Sequence, residues 1–220
     1  QVAAIVQGWF LGSEAGEALA AVLTGDANPS GKLPFTWVKS LKQVGAHVLD
    51  AYPGVWRKPG GAQTPDNIID EDYKEGIYVG YRWTDLKRER PEFAFGHGLS
   101  YTTFAISNLR ADKAVMDRND SIAFTVTVKN TGLRAGAETV QLYIHDRKAS
   151  VDRPVKELKG FSKVWLEPGE SRDVTIAIDN SALCFYDESQ SAWRSENGTF
   201  EAWVGNASDN LKLKKAFELK

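Results

Sequence analysis

From Phe104 onward, apolar and polar residues alternate with a period of two. Ile122, Phe124, Val126 and Val128 alternate with Ser121, Thr125, Thr127 and Lys129, and Val140, Leu142 and Ile144 with Thr139, Gln141 and His145. Val174, Ile176 and Ile178 fall between Asp173 and Asp179. Phe200, Ala202 and Val204 follow, and Leu211, Leu213, Phe217 and Leu219 keep one phase, with Lys215 the exception. Successive side chains of a strand point to opposite faces, so each run puts one face in a core and the other in water. Turn signals separate the runs: Asn130-Thr131-Gly132, Pro168-Gly169, Asn197-Gly198 and Gly205-Asn206. About seven half-buried strands in roughly 115 residues is the pattern of an immunoglobulin-like β-sandwich. With no cysteine pair it is of the fibronectin type III kind, expected over residues 101–220.

The first hundred residues follow a different period. Val2 to Val6 is a short apolar run that leads through Gly8 and Gly12 into a helical pattern. Ser13 is the expected cap, Glu14 and Glu17 sit where the helix dipole favours negative charge, Leu19, Val22 and Leu23 recur at helical spacing, and Gly25 ends it. A turn-forming loop, Asp26 to Gly31, precedes a second expected strand, Leu33 to Val38. This reads as an α/β fragment, a parallel-sheet βαβ piece, whose first strand needs a sheet supplied by other chain segments. Exposing Val2, Ile5, Val6, Leu19 and Val22 forgoes several kcal/mol of burial at ~25 cal/mol per Å². These residues are therefore expected to drive association through the first 40 residues, or to pack on the sandwich.

Residues 40–75 show no periodicity and are punctuated by Pro53, Gly54, Pro59, Gly60, Gly61 and Pro65. A loop of this length inside a compact domain is usually functional or disordered, and its embedded aromatics argue for order. Trp9 and Trp83 are expected in the core. Tyr52 and Trp56, beside Pro53, Gly54 and Arg57, are the aromatics least easily explained that way, so Tyr52, Trp56 and Arg57 are the candidate binding residues. Ile77 to Trp83 reads as a strand, and Phe93 to Tyr101 as a glycine-hinged connector. Asp70, Glu71, Asp72 and Glu75 are the carboxylates to weigh, because a pair of them suffices for glycoside hydrolysis. The plain alternatives are a solvated acidic loop and a structural Glu75–Arg82 pair.

Composition narrows the chemistry. The chain has 220 residues, is 42% hydrophobic and 25% charged, and carries a net charge of −2, which offers no basic face for nucleic acid. No apolar run approaches the ~18 residues of a membrane span. Cys184 is the sole cysteine and lies in an apolar run, so it reads as an inert buried thiol. His47, His97 and His145 lack metal-ligand spacing, and no cofactor is implied. Asp26-x-Asn28-x-Ser30-Gly31 matches half a calcium loop, yet Trp37 stands where the bidentate Glu belongs. Gly31-Lys32 suggests a phosphate loop, yet Leu33 replaces the magnesium-binding hydroxyl. Both are plain turns.

Taken together, several segments resemble glycoside hydrolase family 3, of the β-glucosidase and β-xylosidase type. Ile5 to Gly16 and Gly25 to Pro34 are similar to its second domain, an α/β sandwich. Tyr73 to Trp83 and Phe95 to Thr102 are similar to its connector, and Val128 to Gly132 and Glu157 to Phe161 to its fibronectin III-like domain. The resemblance implies residues 1–100 as the C-terminal part of the sandwich domain, followed by the fibronectin-like domain. It also implies a retaining mechanism and a partner segment bearing an N-terminal (β/α)8 barrel, with an Asp nucleophile from the barrel and a Glu acid/base upstream of Gln7. No catalytic residue is therefore assigned to this chain, which is expected to be inactive alone and to brace the barrel while β-linked oligosaccharides or glycosides are cleaved. The family implies a periplasmic or extracellular setting. A non-catalytic carbohydrate-binding or structural β-sandwich module is the other reading.

Overall fold

The computed structural model describes residues 2–61, 64 and 67–220; Gln1 and Pro65, one of the residues punctuating the long loop, lie outside them. In chain order come α1 (Ala15–Thr24), a 3-10 turn at Leu41–Gln43, α2 (Gly45–Val48), the two-residue strands β1 (Val55–Trp56) and β2 (Ile69–Asp70), and α3 (Tyr81–Lys87). The sandwich strands are β3 (Phe104–Ala111), β4 (Val115–Met116), β5 (Ser121–Asn130), β6 (Gly136–Asp146), β7 (Glu157–Leu166) and β8 (Ser171–Asp179). They are followed by the hairpin strands β9 (Phe185–Asp187) and β10 (Ala192–Arg194), then β11 (Gly198–Gly205) and β12 (Leu213–Leu219).

A five-stranded sheet, ordered β4-β12-β11-β6-β7, faces a three-stranded sheet, β3-β5-β8. All pairings are antiparallel except β4 with β12, where Glu218 pairs with Val115 and Leu219 with Met116. The period-two pattern sets the register. Ile122, Phe124, Val126 and Val128 meet Ile178, Ile176, Val174 and Arg172 across β5 and β8, and the first three pairs point into one core with Val140, Leu142, Ile144, Phe200, Val204, Phe217 and Leu219. Phe124 and Phe200 each lie against Phe217, at 5.4 and 5.8 Å between ring centres. Burying such side chains contributes roughly 1.5–3 kcal/mol apiece, and this core is the main source of stability.

The early residues behave differently from their sequence pattern. Val2 to Val6 and Leu33 to Val38 form no strand in this structure, apart from a single bridge of Trp37 to Phe93. A strand needs neighbours for its N–H and C=O groups; among the described residues no strand lies beside Val2 to Val6, and Leu33 to Val38 bonds through its backbone to Phe93, Gly96 and His97. The helix starts at Ala15 with Glu14 as its cap residue, not Ser13, and no side chain caps it. Its C-terminus at Gly25 adopts φ 86°, as the glycine there requires. No residue of α1 is fully buried. Ile77 to Trp83 is not a strand either. Gly76 and Gly80 take φ 57° and 62°, breaking any extended run, and α3 begins directly after Gly80. Its buried face is Trp83 and Thr84. Trp83 is buried as expected, whereas Trp9 is 54% exposed.

What holds the early segment is docking onto the five-stranded sheet. The Asn28 amide donates to the Ala135 carbonyl at 2.8 Å and accepts from Ser100 Oγ and the Tyr101 N–H, both at 2.8 Å. Lys32 Nζ donates to the Gly98 carbonyl and pairs with Glu138 at 2.7 Å. Phe93 to Tyr101 turns at Gly96 with φ 80°, and a Cβ there would collide with Gln141. Tyr81 lies edge-on to buried Tyr143 at 5.7 Å, and its hydroxyl accepts from the Leu158 N–H at 2.9 Å. Burial pushes the Tyr143 hydroxyl well above the ordinary tyrosine range.

Candidate functional site

The unpatterned segment becomes a compact excursion closed by a short hairpin. Gly45 opens α2 under the ring of Trp83, where a Cβ would come within 2.8 Å of the indole. Gly54, at φ 82°, turns the chain so tightly that a Cβ would strike the Asp70 carbonyl. Beyond it β1 and β2 pair antiparallel, Val55 with Asp70 and Trp56 with Ile69. Asn67 Oδ1 accepts the Lys58 N–H at 2.9 Å, and Lys74 Nζ reaches the Leu49 and Asp50 carbonyls, drawing the two ends together.

The three candidate binding residues lie on one arm of this hairpin. Tyr52 is 62% exposed, Trp56 is half-buried and Arg57 is exposed. The hairpin brings Arg57 to Asp70: its Nε donates to both carboxylate oxygens at 2.9 and 2.7 Å. That hydrogen bond holds Asp70 below the ordinary carboxylate range and raises the guanidinium further. Asp70 is thus an anchored base of the arm rather than a free acid. Among the described residues no other aromatic ring stacks against Tyr52 or Trp56; Tyr52 stands in solvent, Trp56 only in part, on an arm whose guanidinium is fixed by Asp70.

The remaining carboxylates do not assemble into a catalytic pair. Glu71 and Asp72 are exposed. Glu75 is half-buried, with Oε2 shielded and without a hydrogen-bond partner. It does not pair with Arg82, which instead reaches Glu157 at 3.0 Å across the docking interface. Arg153 approaches the same Glu157 at 2.9 Å and Asp146 at 3.3 Å. Burial pushes the Glu157 carboxyl up, but Lys159, Arg153 and Arg82 outweigh it and leave the group below its ordinary range. Burial likewise pushes Asp85 up, even with Lys156 donating to it. The Tyr78 hydroxyl, desolvated and 2.5 Å from Asp152, is pushed up to about 12. Cys184 is half-buried, with its thiol on the Asn180 carbonyl at 3.3 Å. The His97 ring stacks on Phe93 at 5.2 Å, and His145 lies against Trp203 with Nδ1 2.6 Å from the Val155 carbonyl.

Reasoning from sequence did not find the second exposed aromatic pair, Tyr186 and Trp193. Their signal was there to read: each flanks the polar turn Asp187 to Ser191 in a short apolar-aromatic run. A ladder of rings also went unnoticed, running Trp9, Phe35, Trp37, Phe93 and His97 with successive centres 5.2–6.2 Å apart.

Comparison with known proteins adds the context. Residues 1–81 match the glycosyl hydrolase family 3 C-terminal domain, and residues 138–208 match the fibronectin type III-like domain. A β-glucosidase of Bacteroides ovatus is 44% identical over 218 residues, which is 99% of this chain and 28% of the relative. Thermostable β-glucosidase B of Acetivibrio thermocellus is 41% identical over 98% of this chain and 27% of its own length. Among solved structures, a Bifidobacterium adolescentis family 3 β-glucosidase superposes with a TM-score of 0.85 at 36% identity, covering 97% of this chain and 29% of the other. β-Glucosidase 3B of Thermotoga neapolitana, solved with glucose, gives 0.78 at 38% identity over 93% and 26%. The chain therefore spans less than a third of the length of each of these relatives.

Proposed function

We propose that this chain, which matches the glycosyl hydrolase family 3 C-terminal domain over residues 1–81 and the fibronectin type III-like domain over residues 138–208, acts as the C-terminal portion of a retaining β-glycosidase of that family. In this reading residues 1–100 complete an α/β sandwich domain and residues 101–220 form the bracing domain. Val2 to Val6 and Leu33 to Val38 become parallel strands when the neighbouring strands of that sheet are present. The partner is a preceding segment bearing a (β/α)8 barrel, and the substrate is a β-linked oligosaccharide or glycoside. The nucleophilic Asp and the acid/base Glu belong to the preceding segment, standing about 5 Å apart as covalent trapping of the sugar demands.

What this chain supplies is position. Tyr52, Trp56 and Arg57 wall the sugar cleft, the rings stacking on pyranose faces and the guanidinium, fixed by Asp70, donating to hydroxyls. The observation that carries the reading is an uncovered apolar surface. Phe10, Val2 and Ile5 are 103%, 75% and 59% exposed, and Val6, Leu11 and Leu23 join them. Exposed large apolar side chains gathered in one segment point to an interaction surface, and here they fall in the segment that matches the glycosyl hydrolase family 3 C-terminal domain.

The test is complementation. The chain is mixed with the portion of the Bacteroides ovatus relative that it does not cover, and release of aryl alcohol from aryl β-glucosides is followed. Turnover is expected only in the mixture. Turnover by the chain alone, or none after a stable complex forms, overturns the reading.

A further inference from the structure

Tyr186 on β9 and Trp193 on β10 are directly paired across the hairpin. Their rings meet edge-on with centres 5.6 Å apart, and they remain 50% and 71% exposed. The hairpin that carries them is held from its other face. Phe185 lies under the Arg153 guanidinium at 6.0 Å, and Arg153 also donates to the carbonyl of fully buried Leu183 at 2.9 Å. Arg194 donates to Asp187 at 2.7 Å, while Asp187 also accepts from Ser189 Oγ at 2.6 Å and from the Ser189 N–H at 3.0 Å. Two large rings are thus displayed in a fixed arrangement on a clamped support, and little ordering remains to be done on binding.

We infer that this hairpin face is a second carbohydrate-binding site, distinct from the Tyr52–Arg57 arm, that holds a pyranose ring of a β-linked glucan chain. Three features select that occupant. Equatorial hydroxyls leave both faces of a β-linked glucopyranose lined with C–H groups, and these carry the partial positive charge that the negative face of an aromatic ring attracts. The rim is polar: Glu188, Ser189 and Gln190 in the turn are exposed, giving a carboxylate, a hydroxyl and an amide suited to sugar hydroxyls. The apolar patch is also small. Two rings offer at most a few hundred Å², against the roughly 1,200–2,000 Å² that a stable protein interface buries.

The proposal rests on the glycosidase reading for the class of ligand only; the site itself needs no hydrolysis. It also joins the long-loop side of the molecule through one segment. Tyr78, which follows the loop, touches Asp152 and Arg153, and Arg153 lies on Phe185.

The test is electrophoresis of this chain through gels containing a soluble mixed-linkage β-glucan, with dextran gels as the α-linked control. Retardation is expected in the β-glucan gel alone. It should weaken about tenfold in apparent affinity in Trp193→Ala, vanish in the Tyr186→Ala/Trp193→Ala double variant, persist in Trp193→Tyr, and persist in Trp56→Ala. Since both rings are exposed, urea midpoints of the variants should match the parent, which separates loss of binding from loss of fold. Absence of retardation in the parent, equal retardation by dextran, retention in the folded double variant, or loss in Trp56→Ala alone would each overturn the site. Because the gel reads binding, its outcome is independent of the complementation assay.

Discussion

Lys32 Nζ lies 2.7 Å from Glu138 Oε1, with side-chain exposures of only 14% and 7%, and this pair fastens the first turn-forming loop to β6. Glu138 also accepts from the Thr139 N–H at 2.8 Å on Oε1 and from Asn206 at 2.9 Å on Oε2, so both of its oxygens are engaged. Removing one partner strands a charge in a shielded site. Lys32→Met is expected to cost about 3 kcal/mol in urea unfolding, and Lys32→Met/Glu138→Gln to recover most of it. A double-variant loss equal to the sum of the Lys32→Met and Glu138→Gln single losses would show that the two residues act independently.

Gly96 and Gly169 both take positive φ, 80° and 78°, but only Gly96 is crowded, with Gln141 in the space a Cβ would fill. Gly169 has nothing within 4 Å of that point. Gly169→Ala is expected to cost about 1 kcal/mol from backbone strain alone. Gly96→Ala should cost about 3 kcal/mol, because Gln141 must also give up its bonds to the Gly96 and Asn206 carbonyls. Paired thermal melts compare the two directly.

Glu157 predicts an acid-sensitive docking interface. Its carboxyl titrates lower when folded than when unfolded, so folding favours the charged form. That contribution is complete above the ordinary glutamate value of about 4.3 and is lost as pH falls through the lower folded value. Urea midpoints measured from pH 7 down to about pH 3 should fall less steeply in Glu157→Gln than in the parent. The variant should be weaker at pH 7, where Arg82, Arg153 and Lys159 lose their counter-charge. A parallel pair of curves would show that Glu157 does not contribute to the acid response.

In the reconstituted enzyme, Trp56→Ala should lower kcat/KM for a β-linked oligosaccharide by about tenfold through loss of a stacking face. The effect should appear mainly in KM, because the ring binds ground state and transition state alike. Asp70→Asn, by freeing Arg57, should act in the same direction with a smaller effect. Unchanged kinetics in both would remove the arm from the cleft.

Much of the sandwich was legible because a half-buried strand writes its two faces into alternate residues: Ile122 to Val128 could point inward in only one register. The failures share a cause. Ile77 to Trp83 is rich in residues that favour strands, yet Gly76 takes positive φ just before the run and Gly80 in its middle, and Trp83 packs over Gly45 from helix α3. Val2 to Val6 has a strand's composition without a neighbour to complete its hydrogen bonds. Nothing local marks Lys32 for Glu138, Arg57 for Asp70 or Arg82 for Glu157, since long-range ion pairs leave no period. Tyr52, Trp56 and Arg57 were legible as neighbours on one arm; the carboxylate that fixes the arm was not.

The ring ladder gives the molecule an optical gauge. Trp9 packs on Phe35 and Phe35 on Trp37, and of the five rings only Trp9 stands more than half in water. A polypeptide that settles over Trp9 dehydrates its indole and shifts its emission to the blue, while Trp37, already half-buried, changes less. Intrinsic fluorescence can therefore follow the covering of this surface as it happens, without a label.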